Sequence, residues 1–265
     1  MSSKGTALIT GASSGIGATY ADRLATRGYD LLLVARDQDR LETLATQLRD
    51  KTGVAVEVLR ADLTDSADVT KLAQRLRSDS SITLLLNNAG VASGRSLLEA
   101  DPAEVDRLIA LNIVALTHLT SAAAAGFVSH GRGAILNVAS VVAMIPERFN
   151  AVYTASKAYV LSLTQSLHAE VGEKGIQVQA ILPGATRTEI WERAGMDLNA
   201  FPPEMVMDVN EMVDAALAGF DQRELVTIPS LSNAADWDAM VNARLALGPN
   251  LSLQHAAARY KTTDA

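Results

Sequence analysis

Short apolar runs rich in leucine and β-branched residues alternate along this chain with longer segments in which apolar positions recur every three or four residues. The first pattern fits strands buried on both faces, and the second fits helices with one apolar stripe. Strands are predicted at residues 7–10, 30–34, 54–59, 82–86, 134–139, 176–181 and 225–228. Helices are predicted at 15–27, 37–51, 66–78, 102–129, 153–173 and 210–222. The regular alternation predicts an α/β fold in which a doubly wound, mostly parallel sheet of seven strands carries helices on both faces. Connections stay short until Pro183. Residues 186–208, which include Gly195, Pro202 and Pro203, are too long for a simple connection and read as a lid over a substrate. No repeat, low-complexity tract or linker divides the chain, so one domain over 1–265 is expected, with a loosely held tail from about residue 254.

Composition narrows the function. Of 265 residues, 48% are hydrophobic, enough for a sizeable core. With no cysteine there is no disulfide or thiolate metal site, and His118, His130, His168 and His255 are too scattered for a helical zinc pair, so no metal is expected. A formal charge of -7 disfavours nucleic acid and anionic membranes as main partners, though it leaves room for one basic pocket. No run of 18 apolar residues occurs, and Met1-Ser2-Ser3-Lys4 leads into a strand without a charged leader or cleavage site, which reads as a soluble, cytoplasmic chain.

The candidate chemistry begins after the first strand, where Gly11, Ser13, Ser14, Gly15, Ile16 and Gly17 form a G-x-x-x-G-x-G turn opening a helix. Glycines allow the backbone to approach a diphosphate, and the helix N-terminus offers free N–H groups and the positive end of a dipole. Taken alone, the turn could merely join a strand to a helix. Asp62-Leu63, Asn87-Asn88-Ala89-Gly90, Ser140 and Pro183-Gly184 fall at the carboxyl ends of later strands, on the rim where open α/β sheets bind ligands. Asp62 alone would serve equally as a helix cap. Tyr153 and Lys157, four residues apart in a helical segment, share one face. An ammonium beside a phenol favours the phenolate, so such a pair can hand a proton to a carbonyl oxygen or take it back. Ser140 can donate a second hydrogen bond to that oxygen. Asn112, inside the 102–129 helix, reads locally as a tolerated polar residue.

In this order and spacing, the glycine turn, Asn87-Asn88-Ala89-Gly90, Asn112, Ser140, Tyr153-x-x-x-Lys157 and Pro183-Gly184-Ala185-Thr186-Arg187-Thr188 resemble the short-chain dehydrogenase/reductase family over roughly residues 5 to 230. The resemblance implies a Rossmann-type fold, hydride exchange between a nicotinamide dinucleotide and a carbonyl or alcohol, and a homodimer or homotetramer. It implies a catalytic tetrad of Asn112, Ser140, Tyr153 and Lys157. Asn112 would hold a water leading to Lys157, and Lys157 would also bind the nicotinamide ribose. Ser13, Ser14 and Ile16 would line the diphosphate, Asp62 and Leu63 would meet adenine, and Asn88, Ala89 and Gly90 would border the dinucleotide. Thr188, with Pro183, Gly184 and the backbone near Thr186, would hold the carboxamide. One departure is Val141-Val142-Ala143-Met144 after Ser140, where many members have a glycine, and it bears on the shape of the substrate pocket.

The end of the second strand bears on cofactor choice. Ala35 stands where an acidic residue would accept the ribose 2′-hydroxyl, and Arg36 follows it, so NADP(H) is expected. Arg36 could instead pair with Asp37 or Asp39. The lid carries Ile190, Trp191, Met196, Leu198, Phe201, Met205, Val206 and Met207, which would suit an apolar small-molecule substrate or a packing contact. A sensor that binds NADP without turnover is the competing reading; it would be expected to have lost one of the four catalytic residues, and all four are present.

Overall fold

The computed structural model describes residues 4–261. Met1–Ser3 of the stretch read for a leader, and the last four residues of the tail, lie outside the described residues. Seven strands, β1 (Thr6–Thr10), β2 (Asp30–Ala35), β3 (Val56–Arg60), β4 (Ile82–Asn87), β5 (Gly133–Val138), β6 (Ile176–Ile181) and β7 (Val226–Thr227), form one sheet in the order β3-β2-β1-β4-β5-β6-β7. Every pairing is parallel. The chain winds outward from β1 to β3, returns to β4 beside β1, and then winds the other way. That reversal opens a crevice at the carboxyl ends of β1 and β4.

Both faces of the sheet are covered, which is why its strands read as continuous apolar runs. Ala7, Ile9, Leu31, Leu33, Leu84 and Leu86 pack on one side with residues of α1 (Gly15–Thr26), α2 (Gln38–Thr52) and α8 (Val209–Asp221). Leu8, Leu32, Val34, Leu85 and Ile135 pack on the other with α3 (Ser66–Ser78) and α5 (Leu116–His130). Each fully buried leucine contributes about 2 kcal/mol by leaving water. Ile82 and Leu84, two residues apart, nevertheless face opposite sides. A register irregularity opposite Thr6 and Ala7 absorbs Thr83, whose hydroxyl donates to the Lys4 carbonyl at 2.9 Å.

The segment expected as one helix over 102–129 is three. α4 (Pro102–Ile109) and α5 flank a π-helical turn, Ala110–Ala115, which contains Asn112. One window of Pro102–His130 has a hydropathy of 1.7, enough by composition for a membrane span, yet half of it is buried in the fold. The helix that carries Tyr153 and Lys157, α6 (Ala151–Val171), begins two residues before its expected start. Its N-cap, Asn150, accepts from the Tyr153 N–H at 3.0 Å.

The segment expected to act as a lid contains a short helix, α7 (Ile190–Arg193), and two tight turns. Its ends are pinned together where Thr186 bridges Met207: the Arg187 N–H donates to the Met207 carbonyl at 3.0 Å, and the Met207 N–H donates to Ala185 at 2.9 Å. Contacts divide the chain into a unit ending at Pro229, which holds the whole sheet, and a unit beginning at Ser230. The second unit contains α9 (Ala234–Leu245), where sequence patterning predicts no helix. None of its 12 residues is buried, and Asn233 caps it by accepting from the Ala235 N–H at 3.1 Å.

Candidate active site

The glycine turn is stitched to the end of β4 by Thr10 and Asn88. Thr10 Oγ1 accepts from the N–H groups of Asn88 and Ala89, each at 3.0 Å, while Asn88 Nδ2 donates to the carbonyls of Thr10 at 3.0 Å and Gly11 at 3.1 Å. Gly11 has φ +64°, and a Cβ on Gly17 would lie 2.3 Å from the Gly11 carbonyl oxygen and 2.6 Å from Asn88 Nδ2. Only glycine fits at either position. Ser14 occupies the N-cap of α1 without a capping bond from its side chain, and no acidic residue stands in the first turn. In α2, α3, α4 and α8, by contrast, an Asp caps the N-terminus and an acid sits in the first turn. The N–H groups and positive dipole end at the start of α1 are therefore met by no acidic side chain of its first turn.

A groove of about 410 Å³ runs from this turn along the sheet rim. Gly11, Ser13, Ser14, Gly15, Ile16, Arg36, Asp62, Leu63, Asn88, Ala89, Gly90 and Thr188 line it. Gly17 sits behind the turn, and Pro183, Gly184, Thr186, Tyr153 and Lys157 stand outside this groove, toward the ends of β5 and β6. Arg36 makes no ion pair or side-chain hydrogen bond with another described residue; Asp37 pairs with Arg40 instead, at 3.4 Å. Asp62 is not the cap of α3. That role belongs to Asp65, which accepts from the Ala67 N–H at 2.8 Å. Asp62 instead accepts from the Thr64 N–H at 3.0 Å and the Thr64 hydroxyl at 2.8 Å. Burial works to raise its carboxyl, but these bonds and the charge of Arg36 hold it below the usual carboxylate range.

Tyr153 and Lys157 lie on the first two turns of α6 facing the end of β5. Lys157 Nζ donates to the Val138 carbonyl at 2.9 Å and stands 5.7 Å from the centre of the Tyr153 ring. Ser140, just past β5, accepts weakly from the Val142 N–H at 3.4 Å and donates to the Pro183 carbonyl at 3.3 Å. Burial pushes the Tyr153 phenol up to about 12, opposed by the Ser140 hydroxyl, and burial brings the Lys157 ammonium down to about 8. The expectation that Lys157 draws the phenol toward neutrality is not met here, because desolvation is the dominant influence on both groups.

Asn112 is buried, and the π turn aims its amide across to the β4 loop. It accepts from the Val91 N–H and donates to the Val91 carbonyl, both at 2.9 Å, and donates to Ser156 Oγ at 3.2 Å. Ser156 in turn donates to the Tyr153 carbonyl at 2.7 Å. A Cβ on Gly90 would come within 3.2 Å of Asn112 Oδ1 and 3.7 Å of Lys157 Nζ, so glycine keeps the space between them free of a side chain.

Sequence reasoning marks Asn87 as part of a rim motif but passes over the residues it joins, Thr120, Asn137 and Thr164. Beneath the site, Asn87 Nδ2 donates to Thr120 and to Asn137, both at 2.9 Å, and Asn137 donates to Thr164 at 3.0 Å, a buried chain tying β4 and β5 to α5 and α6. The available signal is an asparagine in the last two positions of each of two largely apolar strands. Ser156, Glu189 and Arg193 carry no such signal, since their roles depend on contacts across the fold.

The sequence matches the family described as short chain dehydrogenase over residues 5–199. The structure is similar to that of a short-chain dehydrogenase from Sphingobium yanoikuyae in complex with NADPH, with 55% identity, a TM-score of 0.94, and 97% of this chain and 100% of that one covered. It is also similar to a bulky-bulky ketone specific alcohol dehydrogenase from Comamonas testosteroni, with 48% identity, a TM-score of 0.90, and 98% and 99% of the two chains covered. An uncharacterized oxidoreductase of Staphylococcus saprophyticus is 30% identical over 223 residues, 84% of this chain and 93% of that protein.

Proposed function

The chain belongs to the short-chain dehydrogenase/reductase family, and from that premise we propose that it is an NADP(H)-dependent oxidoreductase that interconverts a ketone and a secondary alcohol, with Tyr153 as the acid/base. The observation that carries this reading is the convergence of Tyr153, Lys157 and Ser140 at the end of β5, with Gly90 bordering both Lys157 and the groove. The glycine turn fits a dinucleotide, because its backbone is bare where a diphosphate would lie. Arg36, which has no hydrogen-bond or ion-pair partner among the described side chains, fits a 2′-phosphate, and the similar Sphingobium yanoikuyae enzyme is in complex with NADPH. When bound, the cofactor supplies or accepts the hydride.

The chain's own groups manage the proton. Reduction leaves negative charge on the substrate oxygen, and Tyr153, whose phenol near 12 keeps its proton throughout the neutral range, delivers it there. Ser140 turns its hydroxyl from Pro183 to the same oxygen and stabilises the charge as it forms. Lys157 binds the ribose and stabilises the phenolate left on Tyr153. Gly90 leaves the space beside Asn112 and Lys157 free of a side chain, and a water there would pass a proton from solvent back to the phenolate of Tyr153. Thr188, with the backbone of Pro183, Gly184 and Thr186, holds the carboxamide, while Asp62 and Leu63 border adenine.

For substrate, we favour a ketone flanked by two bulky apolar groups, in line with the bulky-bulky ketone specificity of the similar Comamonas testosteroni enzyme. Apolar groups on the segments that follow Ser140 and Thr186 support this. Ile145 and Phe149, on the turn after Ser140, are 39% and 37% exposed, and the Trp191 ring packs 5.1 Å from Phe201 while its N–H donates to Thr186. A panel pairing diaryl and branched dialkyl ketones with acetone, followed by loss of NADPH absorbance, tests the proposal. Turnover of the bulky ketones and not acetone supports it; turnover confined to small or ionic carbonyls contradicts it.

A further inference from the structure

One charged cluster overlooks the phosphate end of the groove and is explained by none of the roles above. Glu189, just before α7, accepts from Arg40 Nη1 of α2 through both carboxylate oxygens, at 2.9 and 3.2 Å. The same carboxylate pairs with Arg193, one turn further along the lid. The Arg193 nitrogen in that pair also lies 3.5 Å from the hydroxyl of Ser14, the residue at the start of α1 whose side chain makes no cap. Arg193 lines the groove together with Ser13, Ser14 and Arg36.

The cluster is unevenly bound. Arg40 is the principal partner of Glu189 and, more than Arg193, holds its carboxyl below the usual range. Arg193 meets only one carboxylate oxygen, which it shares with Arg40, whereas Arg40 spans both; all three side chains are about half exposed, so each pair is screened by water and salt. If Arg193 turns away, Glu189 keeps its two bonds to Arg40 and no carboxylate is left unpaired. The guanidinium has to move only toward a hydroxyl already within reach, beside a helix end prepared for an anion.

We propose that Arg193 is a lid-borne ligand for the cofactor's diphosphate, passed from Glu189 to the Ser14 side of the groove when a dinucleotide enters, so that cofactor charge draws the lid down. The proposal rests on the dinucleotide reading above. It differs from the role given to Arg36 in one measurable respect: the diphosphate is common to NADPH and NADH, whereas the 2′-phosphate is not.

The test is calorimetric titration of NADPH and of NADH into the wild-type protein, Arg193→Ala, Arg193→Lys and Glu189→Gln, with a thermal melt confirming that each variant folds. Arg193→Ala is expected to raise both dissociation constants equally, by about five- to tenfold, with Arg193→Lys between it and wild type. Glu189→Gln leaves the cation in place and removes its competitor, so both cofactors should bind about two- to threefold more tightly. Three results would overturn the proposal: unchanged affinity in Arg193→Ala; a loss confined to NADPH, which would place Arg193 at the 2′-phosphate; or equal weakening in Glu189→Gln, which would make the ion pair a structural strut. Failure of the wild type to bind either cofactor would overturn the dinucleotide reading, and this proposal with it.

Discussion

Lys157 donates to the carbonyl of Val138 at 2.9 Å, which fixes a charged amine inside the protein at the end of a buried strand. Placement there brings the ammonium from 10.5 down to about 8. The unfolded chain therefore binds a proton that the folded chain releases between about pH 8 and 10.5, and folding stability rises with pH across that window. Below pH 8 both states are protonated and the full cost is present, on the order of 3 kcal/mol.

Lys157→Met is thus expected to raise the melting temperature of the cofactor-free protein at pH 7 by a few degrees. The same variant should weaken NADPH binding and slow turnover, a gain in stability at the expense of function. Melts of both proteins from pH 7 to 9.5 check this, and the stability gap should shrink as pH rises. The upper limit stays below the range in which Tyr153 and Tyr20, both pushed up by burial, contribute the opposite slope. A gap independent of pH would contradict the assignment.

Gly17→Ala should disable the phosphate turn from behind. Its Cβ would sit 2.3 Å from the Gly11 carbonyl oxygen, and Asn88, which must move with it, anchors the turn to β4. The expected result is a loss of about 1–3 kcal/mol in stability and NADPH binding weakened by at least about tenfold. Denaturant melts and titration measure the two effects separately, and unaltered affinity would show that the turn does not hold the cofactor.

Cofactor preference is expected to reverse in the double variant Ala35→Asp with Arg36→Ile. The change installs an acceptor for the ribose 2′-hydroxyl and removes the cation facing a 2′-phosphate. Comparing kcat/KM for NADPH and NADH in both proteins checks it. A wild type that prefers NADH, or a ratio untouched by the double change, would contradict the role of Arg36.

The order of strands and helices is legible in the sequence because strands buried on both faces leave unbroken apolar runs, and because Gly11, Asn88 and Ser140 mark three strand ends on one rim. Other features depend on contacts distant in sequence. Asn112 looks like an ordinary helical asparagine until the π turn directs it to Val91 and Ser156. A helix predicted to start at residue 66 puts Asp65 at the cap position, but nothing local shows that Asp62 spends its carboxylate on Thr64. The ionisation of Tyr153 escapes sequence reading for a related reason, since the spacing to Lys157 shows a neighbouring charge but not the burial that outweighs it. α9 lies beyond the last predicted element, and its Trp237, Met240, Val241 and Leu245, though at helical spacing, are not buried.

The central claim is that Tyr153 moves the proton. Tyr153→Phe keeps the ring, the start of α6 and the Asn150 cap, and removes only the hydroxyl. Its turnover of a ketone reduced well by the wild type, measured beside its NADPH dissociation constant, tests the claim most directly. The expected result is an affinity within about twofold of wild type and a kcat reduced by about a hundredfold or more. A variant that turns the ketone over at the wild-type rate would show that another group supplies the proton.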